Sequence, residues 1–347
     1  MNLGILPIQQ LAIHKVGNKF TGEFLHLSET PVKLRDEAVE QLLSQYFLSA
    51  FKTPEYYRFF HETALGFNEV FNFAKNIFAD PENFMENSAN IARQLYEKSN
   101  HPKIKGGELY VVLFDGCHFE GEDTMGLGIF KSENKETFLR VYPESTSYEV
   151  EYEDGINISK LDKGCIIFHT EATEGYRVLV VDNTNKSNEA QYWKDDFLQI
   201  KQVEDQYFQT ENYLKLCKNF ITEQIPQDYE VSKTDQIDLL NRSVQYFKEQ
   251  ESFDFEEFAD TVIGNQEVKE SFKIYKQQYE EQFDTPLEDN FDIHNDAVKR
   301  QSRIFKHVLK LDKNFHIYIH GDKDMIERGY DESAELNYYK VYFKEEE

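Results

Sequence analysis

The sequence predicts an α+β protein in three regions: an N-terminal mixed antiparallel sheet with helices, a middle acidic helical segment and a small C-terminal β-sheet. Short apolar or alternating runs, divided by Gly, Asn and Asp, occur over about 107–182 and are typical of antiparallel strands. Apolar residues recur at helical spacing between 201 and 290, and alternating runs return over 291–347. These changes of pattern place domain boundaries near 200 and 290.

The N-terminal domain, residues 1–200, begins with two strands within 5–27, around the polar turn "GNKFTG". Thr30 and Pro31 are typical of a helix start, with Thr as N-cap and Pro in the first turn. A helical insert over about 31–99 follows. In the strand-rich part, "GCHFEGED" is predicted to be a hairpin loop.

The middle and last regions follow the same reasoning. Within 201–290, Asp254 and Glu257 resemble a capping pair ahead of the apolar Phe258. Within 291–347, "RIFKHVLKL", "NFHIYIH" and "LNYYKVYF" are predicted to be strands, because aromatic and β-branched residues favour strands.

Composition bounds the class of protein. The chain has 347 residues with 29 Phe and 21 Tyr, which indicates a folded, aromatic-rich core. Its cysteines, Cys117, Cys165 and Cys217, form no C-x-x-C pair, so neither a disulfide framework nor a zinc site is indicated. No apolar run is long enough to span a membrane, and the first residues do not resemble a signal peptide. We therefore expect a cytoplasmic protein without a membrane partner.

The net charge of −26 is unevenly distributed. Residues 201–290 hold 9 basic and 21 acidic side chains, whereas 291–347 hold 10 and 12. The run "KRQSRIFKHVLKLDK" at 299–313 has six Lys or Arg and one Asp. A uniform charge of this sign would repel DNA, so direct DNA binding requires a local basic patch.

The stretch "VDNTNKSNEAQYWKDDF", residues 181–197, resembles a phosphate loop only superficially. A phosphate loop needs glycines that let backbone N–H groups wrap the phosphates, and this stretch has none. "GLGIF" lacks the third glycine and the helix of a dinucleotide site. No cofactor is predicted. We interpret Asp182 and Asn183 as the end of a strand and Ser187 as the N-cap of a short helix, with Lys186 and Lys194 as candidate binding residues.

Two catalytic alternatives, a Mg²⁺-dependent nuclease and a cysteine nucleophile, remain open, and a histidine metal site is considered beside them. Asp115 together with Glu133 and Lys135 has the residue types of a Mg²⁺-dependent nuclease, although all three equally suit solvated turns. His316 and His320 would lie about 13 Å apart on a strand, too far to share one metal ion. Cys117 with His118 is a weak nucleophile candidate.

The basic run is the main candidate for DNA contact. On a strand, Lys306 and Lys310 share one face, and Arg300 and Arg303 lie just before it. Such a row can follow a phosphate backbone. The alternative interpretation is an edge strand whose lysines protect against aggregation. Lys131 and Lys135 form a second candidate group.

Longer motifs indicate a family. The segments "GGELYVVLFDGCHFEGEDTMGLGIFKSENKETFL", "INISKLDKGCIIF" and "GYRVLVVDNTNKSNEAQYWKDDFL" resemble the NdpA-type nucleoid-associated proteins of bacteria. So do "NRSVQYFKEQESFDFEEFADTV", "LDKNFHIYIHG" and "ERGYDESAELNYYKVYF". The resemblance extends from about residue 5 to 343.

The resemblance implies a non-enzymatic protein of the cytoplasmic nucleoid, associated with DNA directly or indirectly. It supplies no catalytic residues. Since the chain is acidic, a second hypothesis is that residues 201–290 bind a basic DNA-handling partner such as a topoisomerase. The sequence leaves the oligomeric state open, a homodimer included.

Overall fold

The computed structural model describes residues 3–119, 122–184, 192–303, 305, 308–318 and 325–345, with the backbone alone for 308–310. The chain divides into two compact units, Met1–Val203 and Glu204–Glu347. The predicted α+β class is confirmed: an antiparallel sheet with helices comes first, a helical region follows, and small two-stranded sheets complete the chain.

The first unit is built on an eight-stranded sheet in the order β10-β3-β9-β8-β5-β4-β1-β2, in which every neighbouring pair is antiparallel. Strands β6 and β7 form a separate two-stranded ribbon. The strands are β1 Ile8–Val16, β2 Leu25–His26, β3 Tyr56–Phe59, β4 Gly107–Phe119, β5 Glu122–Ser132, β6 Glu136–Glu144, β7 Ser147–Gly155, β8 Lys163–Phe168, β9 Arg177–Asp182 and β10 Ile200–Gln202.

Helices cover both faces of this sheet: α1 Glu37–Leu48, α2 Glu69–Ala79 and α3 Phe84–Lys98, with a π-helical turn at Trp193–Leu198. Alternate strand residues point to opposite faces. Val111 and Ile129 therefore pack with α2 and α3, whereas Phe130 packs with α1. There the Phe47 ring stacks on Phe130 with centroids 4.5 Å apart.

The first helix does not begin at Thr30 and Pro31. It begins at Glu37, where the Asp36 side chain accepts a hydrogen bond from the Ala38 N–H. The Val32 N–H donates to the Leu11 carbonyl instead, so this stretch follows the first strand before the helix starts. A carboxylate is as good an N-cap as a hydroxyl, and Asp36 supplies it.

The predicted hairpin loop "GCHFEGED" is also shorter than expected. Strand β4 continues through Cys117 and His118, which pair with Thr124 and Asp123 of β5. A β-bulge after Phe114 shifts the register and carries the pairing onward. Cys117 is buried, and burial raises the pKa of its thiol to about 12, which is opposite to what a nucleophile needs.

The second unit is mainly helical. Its elements are α4 Gln206–Asn219, α5 Ile225–Asp228, α6 Lys233–Glu249, α7 Phe255–Phe258, α8 Gln266–Phe283, α9 Asn295–Ser302, β11 Ser252–Asp254, β12 Asn290–Asp292, β13 Val308–Leu311, β14 Phe315–Tyr318, β15 Ile326–Asp331 and β16 Leu336–Val341. The strands pair as β11–β12, β13–β14 and β15–β16.

Aromatic rings form the core of the second unit. The Phe253 centroid lies 4.3 Å from that of Tyr213 and 4.9 Å from that of Phe291. The Asp254 half of the predicted capping pair is confirmed, because its carboxylate accepts a 2.8 Å hydrogen bond from the Glu257 N–H and starts α7, while the Glu257 carboxylate accepts a hydrogen bond from the Tyr246 hydroxyl. Ile237 of α6 contacts the last strands through Ile317, Ile326 and Tyr339.

The strand predicted for "RIFKHVLKL", residues 303–311, is confirmed over Val308–Leu311, whereas Arg303 is the C-cap of a helix and Phe305 is not in a strand. Helix α9 extends to Ser302, and the strand begins at Val308. The helix is favoured because Ala297, Val298 and Gln301, at helical spacing, are all buried. No helix in the described part of the chain is long and apolar enough to cross a membrane.

Candidate nucleic-acid interface

The basic run starts on the last turn of α9, which carries Lys299 and Arg300. Cations are stabilised there by the unpaired carbonyl groups at a helix C-terminus. The Lys299 side chain is 75% exposed, and its ammonium lies 3.5 Å from Asp296. Arg303, just beyond the helix, is also exposed. Both side chains are placed where a phosphate can approach.

Arg300 is engaged within the protein. Its Nη1 donates a 3.0 Å hydrogen bond to the Tyr207 hydroxyl and lies 3.7 Å from the Glu211 carboxylate. That carboxylate is buried and also accepts a 2.6 Å hydrogen bond from Gln301. Arg300 therefore balances a buried charge, and a DNA contact would compete with this pair.

The remaining two members of the first candidate group are Lys306 and Lys310. Lys306 lies outside the described residues, and only the backbone of Lys310 is described. That backbone belongs to β13, opposite His316 of β14. His316 is exposed, and His320 lies outside the described residues.

In the second group, Lys131 is not a surface residue. Its side chain is fully buried, and its ammonium donates to the Lys105 carbonyl, the Glu133 carboxylate and the Tyr192 hydroxyl at 2.6, 3.0 and 3.1 Å. All three of its protons are used, so DNA cannot reach it without disrupting the fold. Burial lowers the pKa of Lys131, and Glu133 opposes that effect.

Lys135, the other member of the second group, lines an open cleft of about 640 Å³. Its ammonium is 2.8 Å from Glu108, and its side chain is half exposed. The charged residues around the cleft are mixed in sign: Lys15, Lys105 and Lys135 with Glu23, Glu108 and Glu133. The cleft therefore lacks the positive excess that a phosphate backbone requires.

Lys163 is a charged residue that the sequence reasoning missed. It is paired across the sheet with Lys131 of β5 and Asp182 of β9, and it is buried. Its ammonium lies 2.7 Å from the Asp182 carboxylate and 3.8 Å from that of Glu133. Burial, followed by the neighbouring Glu133, raises the pKa of Tyr192 well above its usual value. This cluster of charged and polar side chains is therefore part of the protein interior and does not form a surface for DNA.

The nuclease arrangement is not formed. Glu133 follows the end of β5 beside Glu108, whereas Asp115 follows Phe114 at the far part of β4. Seven residues of extended chain separate those two positions, which is roughly 20 Å. In the described part of the chain, no cluster of His, Cys, Asp or Glu side chains has the grouping of a metal site.

The stretch 181–197 is structural where it is described. Asp182 ends β9, and Asn183 donates a 2.8 Å hydrogen bond to the Leu161 carbonyl. Trp193 is buried at the start of the π-helical turn. The Lys194 ammonium donates to the Tyr57 hydroxyl at 2.7 Å, so its candidate binding role would compete with that contact. Lys186 and Ser187 lie outside the described residues.

The middle helices expose an acidic surface. On α8, Glu267, Glu270 and Glu281 lie on the exposed face, around an isoleucine, Ile274, that is 56% exposed. Lysines of α8 are occupied by acids of the same unit. Those pairs are Lys269 with Asp260, Lys273 with Glu256, and Lys276 with Glu280 and Asp289. The exposed face of α8 is therefore left negative.

A comparison with protein-family models shows which family the chain resembles over most of its length. Residues 12–336 match the model of the family described as nucleoid-associated protein YejK, NA37. A search of curated proteins finds no match to the chain.

Proposed function

This chain belongs to the YejK-type nucleoid-associated protein family, and from that premise we propose that it acts at the bacterial nucleoid, in the cytoplasm, without catalysing a reaction. Its direct DNA contact is confined to the basic run 299–313. Arg303 and Lys299 make the exposed part of this contact, Lys306 and Lys310 continue it, and Arg300 borders it.

The observation that carries this proposal is the exposure of Lys299 and Arg303 at the end of α9, within the basic run of a chain whose net charge is −26. Phosphate contacts release counterions from DNA, so affinity from this patch falls steeply with salt. The acidic remainder of the surface repels DNA and keeps binding weak and local.

The test is an electrophoretic mobility shift of duplex DNA over a salt series. Two double variants remove the patch: Lys299→Glu with Arg303→Glu, and Lys306→Glu with Lys310→Glu. We expect each to reduce the slope of log affinity against log salt by about 2, since each substitution leaves one DNA phosphate without its cationic partner.

A matched control is Lys33→Glu with Lys248→Glu, which changes the net charge equally at two exposed lysines outside the run. It should leave the slope unchanged. If the patch variants behave like this control, the DNA contact lies elsewhere.

A second candidate function is recruitment of a basic DNA-handling protein, such as a topoisomerase, by the acidic face of α8. The exposed Ile274 amid Glu267, Glu270 and Glu281 supports it, because an apolar side chain within a charged rim is typical of an interface. In this case the association with DNA is indirect.

Binding of purified topoisomerase subunits to the full chain tests this second function. The variant Glu267→Gln with Glu270→Gln and Glu281→Gln should weaken retention, most strongly at low salt. Its control neutralises three exposed glutamates of the first unit, Glu62, Glu69 and Glu82. Equal retention by both variants contradicts the α8 assignment. DNA shifts by the purified chain alone at physiological salt favour the direct contact instead.

A further inference from the structure

The ribbon of β6 and β7 presents one continuous apolar face to solvent. Residues opposite each other on antiparallel strands share a face, and the pairs here are Leu139 with Tyr152, Val141 with Val150, and Pro143 with Tyr148. The exposed fractions are 73% for Leu139, 62% for Val141, 73% for Tyr148, 63% for Val150 and 75% for Tyr152. Large apolar groups in one patch are unusual on a monomer.

The opposite face of the ribbon is charged. Arg140 pairs with Glu151, Phe138 with Glu153 and Tyr142 with Glu149. Arg140 lies 3.8 Å from Glu153, and the Tyr142 hydroxyl donates a 2.7 Å hydrogen bond to Glu149. The ribbon therefore has a dry side and a wet side, as a strand pair does when a second layer covers it.

In the described part of the chain, no second layer is present. The two nine-residue strands form a sheet of their own, and no other described strand pairs with them. An isolated two-stranded ribbon is only marginally stable in water, and it gains stability when its apolar face is packed. Within the described residues of the first unit, the apolar face is therefore left uncovered.

We propose that this face is the interface with a second copy of the chain, formed by packing two ribbons face to face around a two-fold axis at Val141 and Val150. The axis runs across the strands, in the plane between the two ribbons. It therefore places the Leu139 and Tyr152 pair of one copy against the Pro143 and Tyr148 pair of the other. The central side chains are β-branched and of equal size, so the face is complementary to itself. This inference is independent of the proposed function.

The area suits a dimer. With two tyrosines of about 150–250 Å² each and smaller aliphatic neighbours, the face buries roughly 600 Å² per copy. Two copies together bury about 1,200 Å², the lower end of the range for specific interfaces. Tyrosine is also enriched at such interfaces.

The salt dependence of binding distinguishes a second copy of the chain from a basic partner. Packed sheets lie about 10 Å apart, and the glutamates project outward from the two layers, so opposing carboxylates are separated by more than the Debye length of about 8 Å. Salt therefore screens the repulsion between two acidic copies and strengthens apolar burial. Binding of a basic partner through Glu149, Glu151 and Glu153 would instead weaken with salt.

Sedimentation velocity of the full chain over a concentration series, at about 50 mM and about 500 mM salt, is the first test. We expect a species of twice the 41.1 kDa chain mass, populated more at the higher salt. A chain that stays at one copy throughout, or a dimer that dissociates as salt rises, overturns the proposal.

Two variants locate the interface. Val150→Glu places a carboxylate in the apolar face and should raise the dimer dissociation constant by about tenfold or more. Arg140→Gln changes the net charge by the same amount on the opposite face and should not alter it. Equal effects from the two variants overturn the assignment to this face.

Cross-linking tests the axis without weakening the ribbon. The native cysteines, Cys117, Cys165 and Cys217, are all buried, so an introduced thiol reports alone. Facing Cα atoms of sheets packed about 10 Å apart are too distant for a disulfide, so Val141→Cys should form a dimer with a bis-maleimide reagent that spans about 10 Å, whereas Arg140→Cys should remain monomeric on a denaturing gel. Failure of Val141→Cys to cross-link in samples that contain dimer overturns the two-fold arrangement.

Discussion

Lys131 and Lys163 are direct cross-strand partners on β5 and β8, and both are buried. Like charges in this relation repel. The Glu133 carboxylate lies between them, 3.0 Å from the first ammonium and 3.8 Å from the second, and Asp182 lies 2.7 Å from Lys163. The ends of the central strands β5 and β8 are therefore held together by a charge-balanced cluster of two lysines and two acids.

Replacement of Glu133 by glutamine should destabilise the protein by about 3–5 kcal/mol. It leaves the two buried ammonium groups, those of Lys131 and Lys163, with the Asp182 carboxylate as their single remaining partner acid in the cluster. The free energy of unfolding in urea measures this. Glu108→Gln breaks the half-exposed pair with Lys135 and serves as the control, with an expected cost of less than about 1 kcal/mol. Equal costs would mean that the buried cluster contributes no more than a surface pair.

The free energy of unfolding should decrease as the solution becomes more acidic, because of His14. Burial, aided by Arg93 and His26, lowers the pKa of His14 from 6.5 to about 4. The neutral ring suits its contacts: Nδ1 accepts from the Ser28 N–H at 3.1 Å, and Nε2 lies 3.2 Å from the Ser88 hydroxyl. Between pH 6.5 and 4 the unfolded chain binds the proton that the folded chain refuses, so stability is retained above 6.5 and lost as the pH falls.

The expected loss from this group is about 2 kcal/mol between about pH 7 and about pH 4. Urea unfolding at a series of pH values measures it. His14→Gln should reduce the steepness of the dependence over that window, whereas His118→Gln, on an exposed surface pair with Asp123, should not. An unchanged dependence in His14→Gln would assign the acid sensitivity to other groups.

Asn68 should tolerate aspartate poorly. Its Oδ1 caps α2 by accepting from the Phe71 N–H, and its Nδ2 donates to the carbonyls of Phe60, Leu198 and Gln199. Asn68→Asp keeps the cap but places a carboxylate against three carbonyl oxygens in a buried site, with an expected cost of about 3 kcal/mol.

The same substitution at Asn265, the exposed N-cap of α8, should change stability by less than about 0.5 kcal/mol, because aspartate and asparagine cap equally well. Thermal unfolding of the two variants compares them directly. A loss at Asn265 as large as that at Asn68 would show that capping alone, and not the amide donors, sets the cost.

The elements that follow from local pattern were predictable. Alternation identified the strands between 107 and 182, and a short-range cap such as Asp254 with Glu257 can be recognised in the sequence because both partners are three residues apart. The start of α1 was not, since the Val32 N–H is taken by Leu11, a long-range partner that no local pattern indicates. Helix α9 was missed because the burial of Val298 depends on the helical core around it.

The candidate site was less predictable than the fold. A lysine at the end of a strand suggests solvent, yet Lys131 shares its face with the buried Ile129 and meets Lys163 through the register of β5 and β8. Register depends on pairing between distant segments, so charge counts along the chain do not reveal it. The exposure of Lys299 and Arg303, in contrast, agrees with a basic run that has few apolar residues at its start.

The strand order of the eight-stranded sheet determines when, during synthesis of the chain, each strand can pair with its neighbour. Strand β1 has β4 as its long neighbour, and the helices of the unit are made in between. Strand β3 receives one neighbour, β10, only at Ile200–Gln202. The amino-terminal strand therefore leaves the ribosome long before its neighbour exists, and the sheet cannot close until the whole first unit has been translated. We expect a nascent chain of this protein to expose unpaired strands for that interval, the condition in which folding chains aggregate and chaperones bind.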